Sequence, residues 1–312
     1  MTLQNITVNT PNNTNTFFVK ASVPEVGGWD NIAESTAFQG STCVDGYIQN
    51  GYIYIFTYHI NTRVLQLWKS NNGTDWSEVL TDIPTSRGSF RVATLNGVHY
   101  LMGGYDGNNY KSDVWYSSDG EIWNQLTSDG GFGTLGNYGC CVHDEFIYIA
   151  GGSNGSILER SNKVWKSNNG ESWLLVTDSV NDILITKGHT ALLYVFNQNL
   201  YIMCGGLLLK SINDGVSWTS LGSEDVAQYS GWSPSIIKFG DKLYKIGGYN
   251  LGLENRIWSS FDGEIWTYEE HELAERHSNI LIVFDGNIYV IGGVNENGGY
   301  NPISDVWVSI LT

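Results

Sequence analysis

An apolar–Tyr–apolar run rises out of polar sequence six times along this chain. Five copies close on a glycine pair: YLMGG at Tyr100, YIAGG at Tyr148, YIMCGG at Tyr201, YKIGG at Tyr244 and YVIGG at Tyr289. In the sixth, YIYIF, Tyr54 holds the same place without the glycines. The steps between these tyrosines are 46, 48, 53, 43 and 45 residues, the period of one repeated supersecondary unit. Runs rich in aromatic and β-branched residues and bounded by glycine predict strands, not helices.

A second pattern is locked to the first. Trp68, Trp115, Trp165, Trp258 and Trp307 follow the Tyr runs, with Leu208 in the remaining copy; Trp76, Trp123, Trp173, Trp218 and Trp266 come next. Where both tryptophans stand in one copy they are 8 apart. Between them lies Asn72-Gly73, Asp119-Gly120, Asn169-Gly170 or Asp262-Gly263, and Asp214-Gly215 holds that place in the copy with Leu208. Asn-Gly and Asp-Gly occupy the positive-φ positions of tight hairpins, so the two tryptophans lie on adjacent antiparallel strands. Another hairpin tip precedes the Tyr run, at Asn50-Gly51, Asn96-Gly97, Gly240-Asp241 and Asp285-Gly286.

Each copy thus reads as four antiparallel strands: a, b (the Tyr run), c (first Trp) and d (second Trp). Such a sheet is apolar on both faces, and sheets packed around an axis bury both. The expected fold is all-β: one six-bladed β-propeller domain over residues 1–312, with blades from about residue 36. The last copy ends at VWVSILT, after strand c, and VGGWDNI around Trp29 resembles EIWNQL around Trp123. Residues 1–35 are therefore expected to form an arm whose strand, near residues 26–32, supplies the missing strand d and closes the ring. The preceding run FFVKAS is β-like and has no assigned place.

The Tyr…Gly-Gly strand followed by a Trp strand resembles the kelch repeat over nearly the whole chain. Ser211-Ile-Asn-Asp-Gly-Val-Ser-Trp218 is similar to the Asp-box hairpin of sialidases, with variants such as Ser118-Asp-Gly-Glu-Ile-Trp123 in other copies. Both motifs are hairpin and packing devices and imply a fold more than an activity.

Charge narrows the partners. There are 16 Lys and Arg against 32 Asp and Glu, a net charge of −16, which disfavours nucleic acid and anionic membranes. No apolar run has the length of a membrane span, and the first residues lack the basic and apolar regions of a secretion signal. The expected location is the cytoplasm or a larger particle such as a phage virion. Cys43, Cys140, Cys141 and Cys204 form no CxxC pair and read as reduced strand thiols.

Strand alternation puts the tight a–b and c–d turns on one face and the irregular b–c and d–a loops on the other. Variable loops on a rigid scaffold are where binding sits. At the start of strand a the copies offer Ser41-Thr42, Ser89-Phe90, Asn137-Tyr138, His189-Thr190, Trp232-Ser233 and His277-Ser278, with Arg87, Arg91 and Arg276 nearby. The candidate ligand-binding set is Phe90, Arg91, Tyr138, His189, Trp232, Arg276 and His277. Aromatic faces with converging polar groups suit a sugar; the competing reading is that these residues plug the channel. Tyr105, Tyr249 and Tyr300 are further aromatics of the b–c loops.

No catalytic residues, cofactor or metal are expected. The resemblance to sialidases implies an arginine triad and a Tyr-Glu pair, and no such pair is assignable. Kelch-type galactose oxidases imply a Tyr–Cys copper site, and no cysteine stands beside a channel tyrosine. The iron motif of plant specifier proteins, E-x3-D-x3-H, finds Glu269 and His277 here but Leu273 in place of the Asp. The favoured function is a binding module for a glycan or a protein surface. The alternative is a sugar-processing enzyme similar to kelch-type sialic acid mutarotases or sialidases, which an arginine beside a carboxylate in the channel mouth would favour.

Overall fold

The computed structural model describes residues 3–10, 13–20, 25–59, 61–80, 83, 86–154, 160–180, 191–204, 207–222, 234–248, 256–271, 273–295 and 301–312. The first two strands, β1 (Leu3–Thr10) and β2 (Asn13–Lys20), pair with each other as a separate antiparallel hairpin, which takes in the FFVK run. Next comes β3 (Val26–Ala33). Then follow β4 (Ser41–Gln49), β5 (Tyr52–His59), β6 (Leu65–Ser70) and β7 (Ser77–Val79), the first blade. The second is β8 (Arg91–Leu95), β9 (Val98–Met102), β10 (Val114–Ser117) and β11 (Asn124–Thr127). The third is β12 (Gly139–His143), β13 (Phe146–Ala150), β14 (Val164–Ser167) and β15 (Leu174–Thr177). The fourth is β16 (Leu192–Phe196), β17 (Asn199–Cys204), β18 (Leu207–Ser211) and β19 (Thr219–Ser220). The fifth is β20 (Ser235–Phe239), β21 (Lys242–Ile246), β22 (Ile257–Ser260) and β23 (Thr267–Glu269). The sixth runs β24 (Ile280–Phe284), β25 (Asn287–Asn295), β26 (Asn301–Leu311) and then β3. The innermost strands touch in the cyclic order β4, β8, β12, β16, β20, β24, β4. The chain is a six-bladed β-propeller, and no described helix is long and apolar enough to cross a membrane.

Ring closure follows from register. The strand-c residue Trp68 pairs with Glu78, two past Trp76; Trp115 with Gln125, two past Trp123; Trp165 with Leu175, two past Trp173. Trp307 pairs with Asn31, two past Trp29, so Trp29 occupies the strand-d place of the sixth blade. The same comparison corrects one assignment. Ile55 faces Trp68 and Ile202 faces Leu209, so Leu209, not Leu208, stands for the absent tryptophan.

Period-two alternation divides each b strand between two neighbours. Ile53 and Ile55 pack with Ile280, Ile282 and Ile291 of the sixth blade, whereas Tyr54 and Phe56 pack with Leu101 and Trp123 of the second. The described apolar core comprises six such clusters, each shared by two adjacent blades. The tryptophans belong to these interfaces: Trp123 is buried against Tyr47 and Phe56 of the preceding blade. Hairpin tips are closed by serine: the N–H of Gly73, Gly120, Gly170, Gly215 and Gly263 each donates to a Ser Oγ at 2.8–2.9 Å. These glycines have φ between 73° and 84°, the left-handed region that the turn requires.

Two buried ion pairs brace the loop-bearing side. Arg87 Nη1 and Nη2 donate to Asp113 at 2.7 and 2.8 Å, and Arg276 does the same to Asp305 at 2.7 and 2.9 Å. In both, an Arg Nη1 also donates to a glycine carbonyl, and the c-strand tryptophan, Trp115 or Trp307, donates its Nε1–H to the same Asp. The constellation locks the start of strand a to strand c of its own blade.

Three outcomes follow from this packing. Deleting residues 1–35 exposes the apolar edge of β26, so the truncated protein should aggregate or melt far below the full chain in a thermal scan; an unchanged Tm would contradict β3 as the closing strand. Arg276→Leu leaves the Asp305 carboxylate buried without its partner and should cost about 3–5 kcal/mol in urea unfolding. His99 is buried between Thr94 and Gln49, and burial lowers its pKa to about 4. Because the unfolded imidazole binds its proton near pH 6.5 and the folded one does not, stability should fall as pH drops from about 6.5 to 4. Replacing His99 with Gln should flatten that part of a Tm-against-pH profile.

Candidate functional site

The six innermost strands surround a central cavity of about 370 Å³. Asp45, Arg91, Gly139, Leu192, Ser235 and Ile280 hold one equivalent place there. Each pairs with the residue two past the Tyr of its b strand: Phe56, Met102, Ala150, Met203, Ile246 and Ile291. Only Asp45 and Arg91 are charged among these, and they stand on neighbouring blades.

Above lies a second cavity of about 550 Å³ at the strand-a starts, where the b–c and d–a loops meet. Its described lining includes Tyr58, Arg63, Ser89, Arg91, Tyr105 and Asn279. Arg63 enters from the β5–β6 turn, where its backbone adopts φ 58° and its N–H donates to His59 O at 2.8 Å. Arg91 is aimed by the third blade: its Nε donates to Tyr138 O, and its backbone N–H to Tyr138 Oη, both at 3.2 Å. The Nη groups of Arg91 and the guanidinium of Arg63 make no hydrogen bond among the described residues. Arg63 and Arg91 are the only Lys, Arg, Asp or Glu residues in this described lining.

Asp45 sits just below, half-buried on β4. Its Oδ1 accepts the Gly46 N–H at 2.9 Å and its Oδ2 the Val92 N–H at 2.8 Å, tying the first blade to the second. Burial raises the Asp45 carboxyl above the usual carboxylate range, while the Arg91 guanidinium and the two N–H donors oppose that rise. Asn279 lines both cavities at 4% exposure, and neither its Oδ1 nor its Nδ2 has a hydrogen-bond partner among the described residues. A buried amide left unpaired is expensive, so this one is poised for a polar guest or water.

The sequence-derived candidates separate sharply. Arg91 reaches the mouth. Phe90 and Tyr138 are fully buried, and the Tyr138 hydroxyl donates to Met102 O at 2.5 Å, so neither ring offers a stacking face. Arg276 is 1% exposed and spent on Asp305. His277 is buried, bridges Val294 through its backbone, and shares its Nδ1 with Ser278 Oγ. His189 and Trp232 lie outside the described residues, as do Tyr249 and Tyr300. The reason is register: Phe90 and Tyr138 stand one residue before Arg91 and Gly139, and one step along a strand turns a side chain from channel to blade interface.

Asp45, Arg63, Tyr58 and Asn279 carry the site and were not among the candidates. Counting two residues past each Tyr finds the b-strand partners, but a bulge between Cys43 and Asp45 shifts β4 and hides Asp45 from simple alignment. Between Glu269 and His277, Leu273 is buried in the core and offers no oxygen donor, and Glu269 accepts a hydrogen bond from Ser259. Cys140 also lines the central cavity, and burial pushes its thiol up to about 12. No protein-family model and no curated protein matches this sequence.

Proposed function

We propose that the protein is a non-catalytic binding module that recognises a carboxylate-bearing glycan at the channel mouth. The observation that carries this reading is the charge of the mouth. On a chain of net charge −16, the charged side chains of its described lining are two arginines whose Nη groups make no hydrogen bond among the described residues. A guanidinium matches a carboxylate in shape and charge. Tyr58 and Tyr105 supply apolar faces, and Ser89, Asn137, Ser235, Ser278 and Asn279 supply the polar partners that sugar hydroxyls need. The two tyrosines offer the stacking faces that the buried Tyr138 does not.

One observation favours the alternative, a sugar-processing enzyme: a carboxyl of raised pKa, Asp45, lies near Arg91 in the channel. Both Asp45 oxygens already accept backbone N–H groups, which suits a structural tie between blades more than a proton shuttle.

A glycan array should return acidic sugars ahead of their neutral counterparts. Arg91→Gln and Arg63→Gln should each weaken the best hit about tenfold or more, with Tm unchanged, and Asp45→Asn should leave the ligand chemically intact and bound. Equal binding of neutral glycans, or undiminished affinity in both arginine variants, would refute the reading. Conversion of a bound sugar that disappears in Asp45→Asn would establish the enzyme instead.

A further inference from the structure

The opposite face carries a feature that breaks the repeat. In four hairpin tips the serine and the left-handed glycine are three residues apart: Ser70–Gly73, Ser117–Gly120, Ser167–Gly170 and Ser260–Gly263. In the fourth blade they are four apart, Ser211 to Gly215, yet the Gly N–H still reaches the Ser Oγ at 2.9 Å. The cap role that Asn72, Asp119, Asn169 and Asp262 perform is retained by Asn213, whose Oδ1 accepts the Ser211 hydroxyl at 3.0 Å. The extra residue is Asp214, held at φ 56° and free of the turn's own hydrogen bonding. The insertion also accounts for the nine-residue step from Leu209 to Trp218, where the other copies have eight.

Asp214 points across the interface to the third blade, where a second exception waits. His143 ends β12 at the place held elsewhere by Gln49, Leu95, Phe196, Phe239 and Phe284, the position facing the residue two before the b-strand Tyr. Most copies spend that place on an apolar side chain. His143 is only 4% exposed, and its Nε2 has no hydrogen-bond partner among the described residues. That nitrogen lies 3.3 Å from Asp214 Oδ1 and 3.6 Å from Asp144 Oδ2. One ligand atom from each of the three residues falls within 4.8 Å of the others.

The geometry points to a divalent-cation site formed by His143 Nε2, Asp144 and Asp214 that staples the third blade to the fourth. Ligands about 2.0–2.2 Å from a tetrahedral zinc stand roughly 3.3–3.6 Å from one another, which is the spacing of His143 Nε2 from each carboxylate here. One imidazole with two carboxylates selects a zinc-like ion over magnesium or calcium, which prefer oxygen alone. The two carboxylates are largely exposed, so water completes the shell. The site lies on the tight-turn face, away from the arginine-lined mouth, and it stands independently of the glycan reading.

The test is zinc binding by the full chain, stripped with EDTA and dialysed, followed by calorimetry and by thermal unfolding. Wild type should bind one Zn²⁺, with a raised Tm that Mg²⁺ does not reproduce. Asp214→Asn and Asp144→Asn change exposed side chains, so both should fold, bind zinc at least tenfold more weakly and lose the Tm shift. Deleting Asp214, which restores the spacing of the other tips, should do the same. Absence of zinc binding in wild type would reduce the cluster to a histidine–carboxylate ion pair and overturn the proposal. So would zinc binding that survives undiminished in both substitutions.

Discussion

Every blade of this protein is a thin sheet with two apolar faces, and neither can be left to water. Tyr54 and Phe56 point to one neighbour while Ile53 and Ile55 point to the other, so no blade has a core of its own. Burying both faces of all six sheets requires a closed ring. Closure in turn requires a complete sixth blade, whose fourth strand is β3. The strand around Trp29 therefore joins the first part of the chain to the last across the register of Trp307 and Asn31.

The ring sets where chemistry can sit. Residues between blades are fixed by packing and recur from copy to copy. Residues at the innermost strand starts face a shared cavity and are released from that constraint, so the equivalent place holds Asp45, Arg91, Gly139, Leu192, Ser235 and Ile280. Arg91 gains its direction from the neighbouring blade through Tyr138, and Asp45 is held by the N–H of Val92. The buried pairs of Arg87 with Asp113 and Arg276 with Asp305 tie the strand-a starts of the second and sixth blades to strand c of the same blade. Arginine thus serves two ends here: Arg87 and Arg276 are spent on buried ion pairs, while Arg63 and Arg91 face the cavity.

Architecture was legible because packing repeats. The tyrosines, the paired tryptophans and the Asx-Gly tips gave blade number, strand order and the closing strand from spacing alone. The site was legible only in part. Distinguishing Tyr138 from Gly139, or Phe90 from Arg91, demands single-residue register, and the loops before each strand a differ in length. Arg276 and Arg87 looked like channel cations because their partners, Asp305 and Asp113, lie some 26 to 29 residues away and are brought near only by the sheet. The step from Leu209 to Trp218 was readable in principle. Assigning Leu208 instead of Leu209 hid the inserted Asp214, and with it the contact to His143.

The central claim is that residues 26–33 are an integral strand of the sixth blade and carry the closure of the ring. Hydrogen–deuterium exchange of the intact protein, read by mass spectrometry on peptides covering 26–33, 287–295 and 301–311, addresses it directly. The first peptide should exchange as slowly as the other two and lose protection together with them as denaturant is raised. Exchange of 26–33 at the rate of an unstructured peptide, while 287–295 stays protected, would show a ring that holds without it.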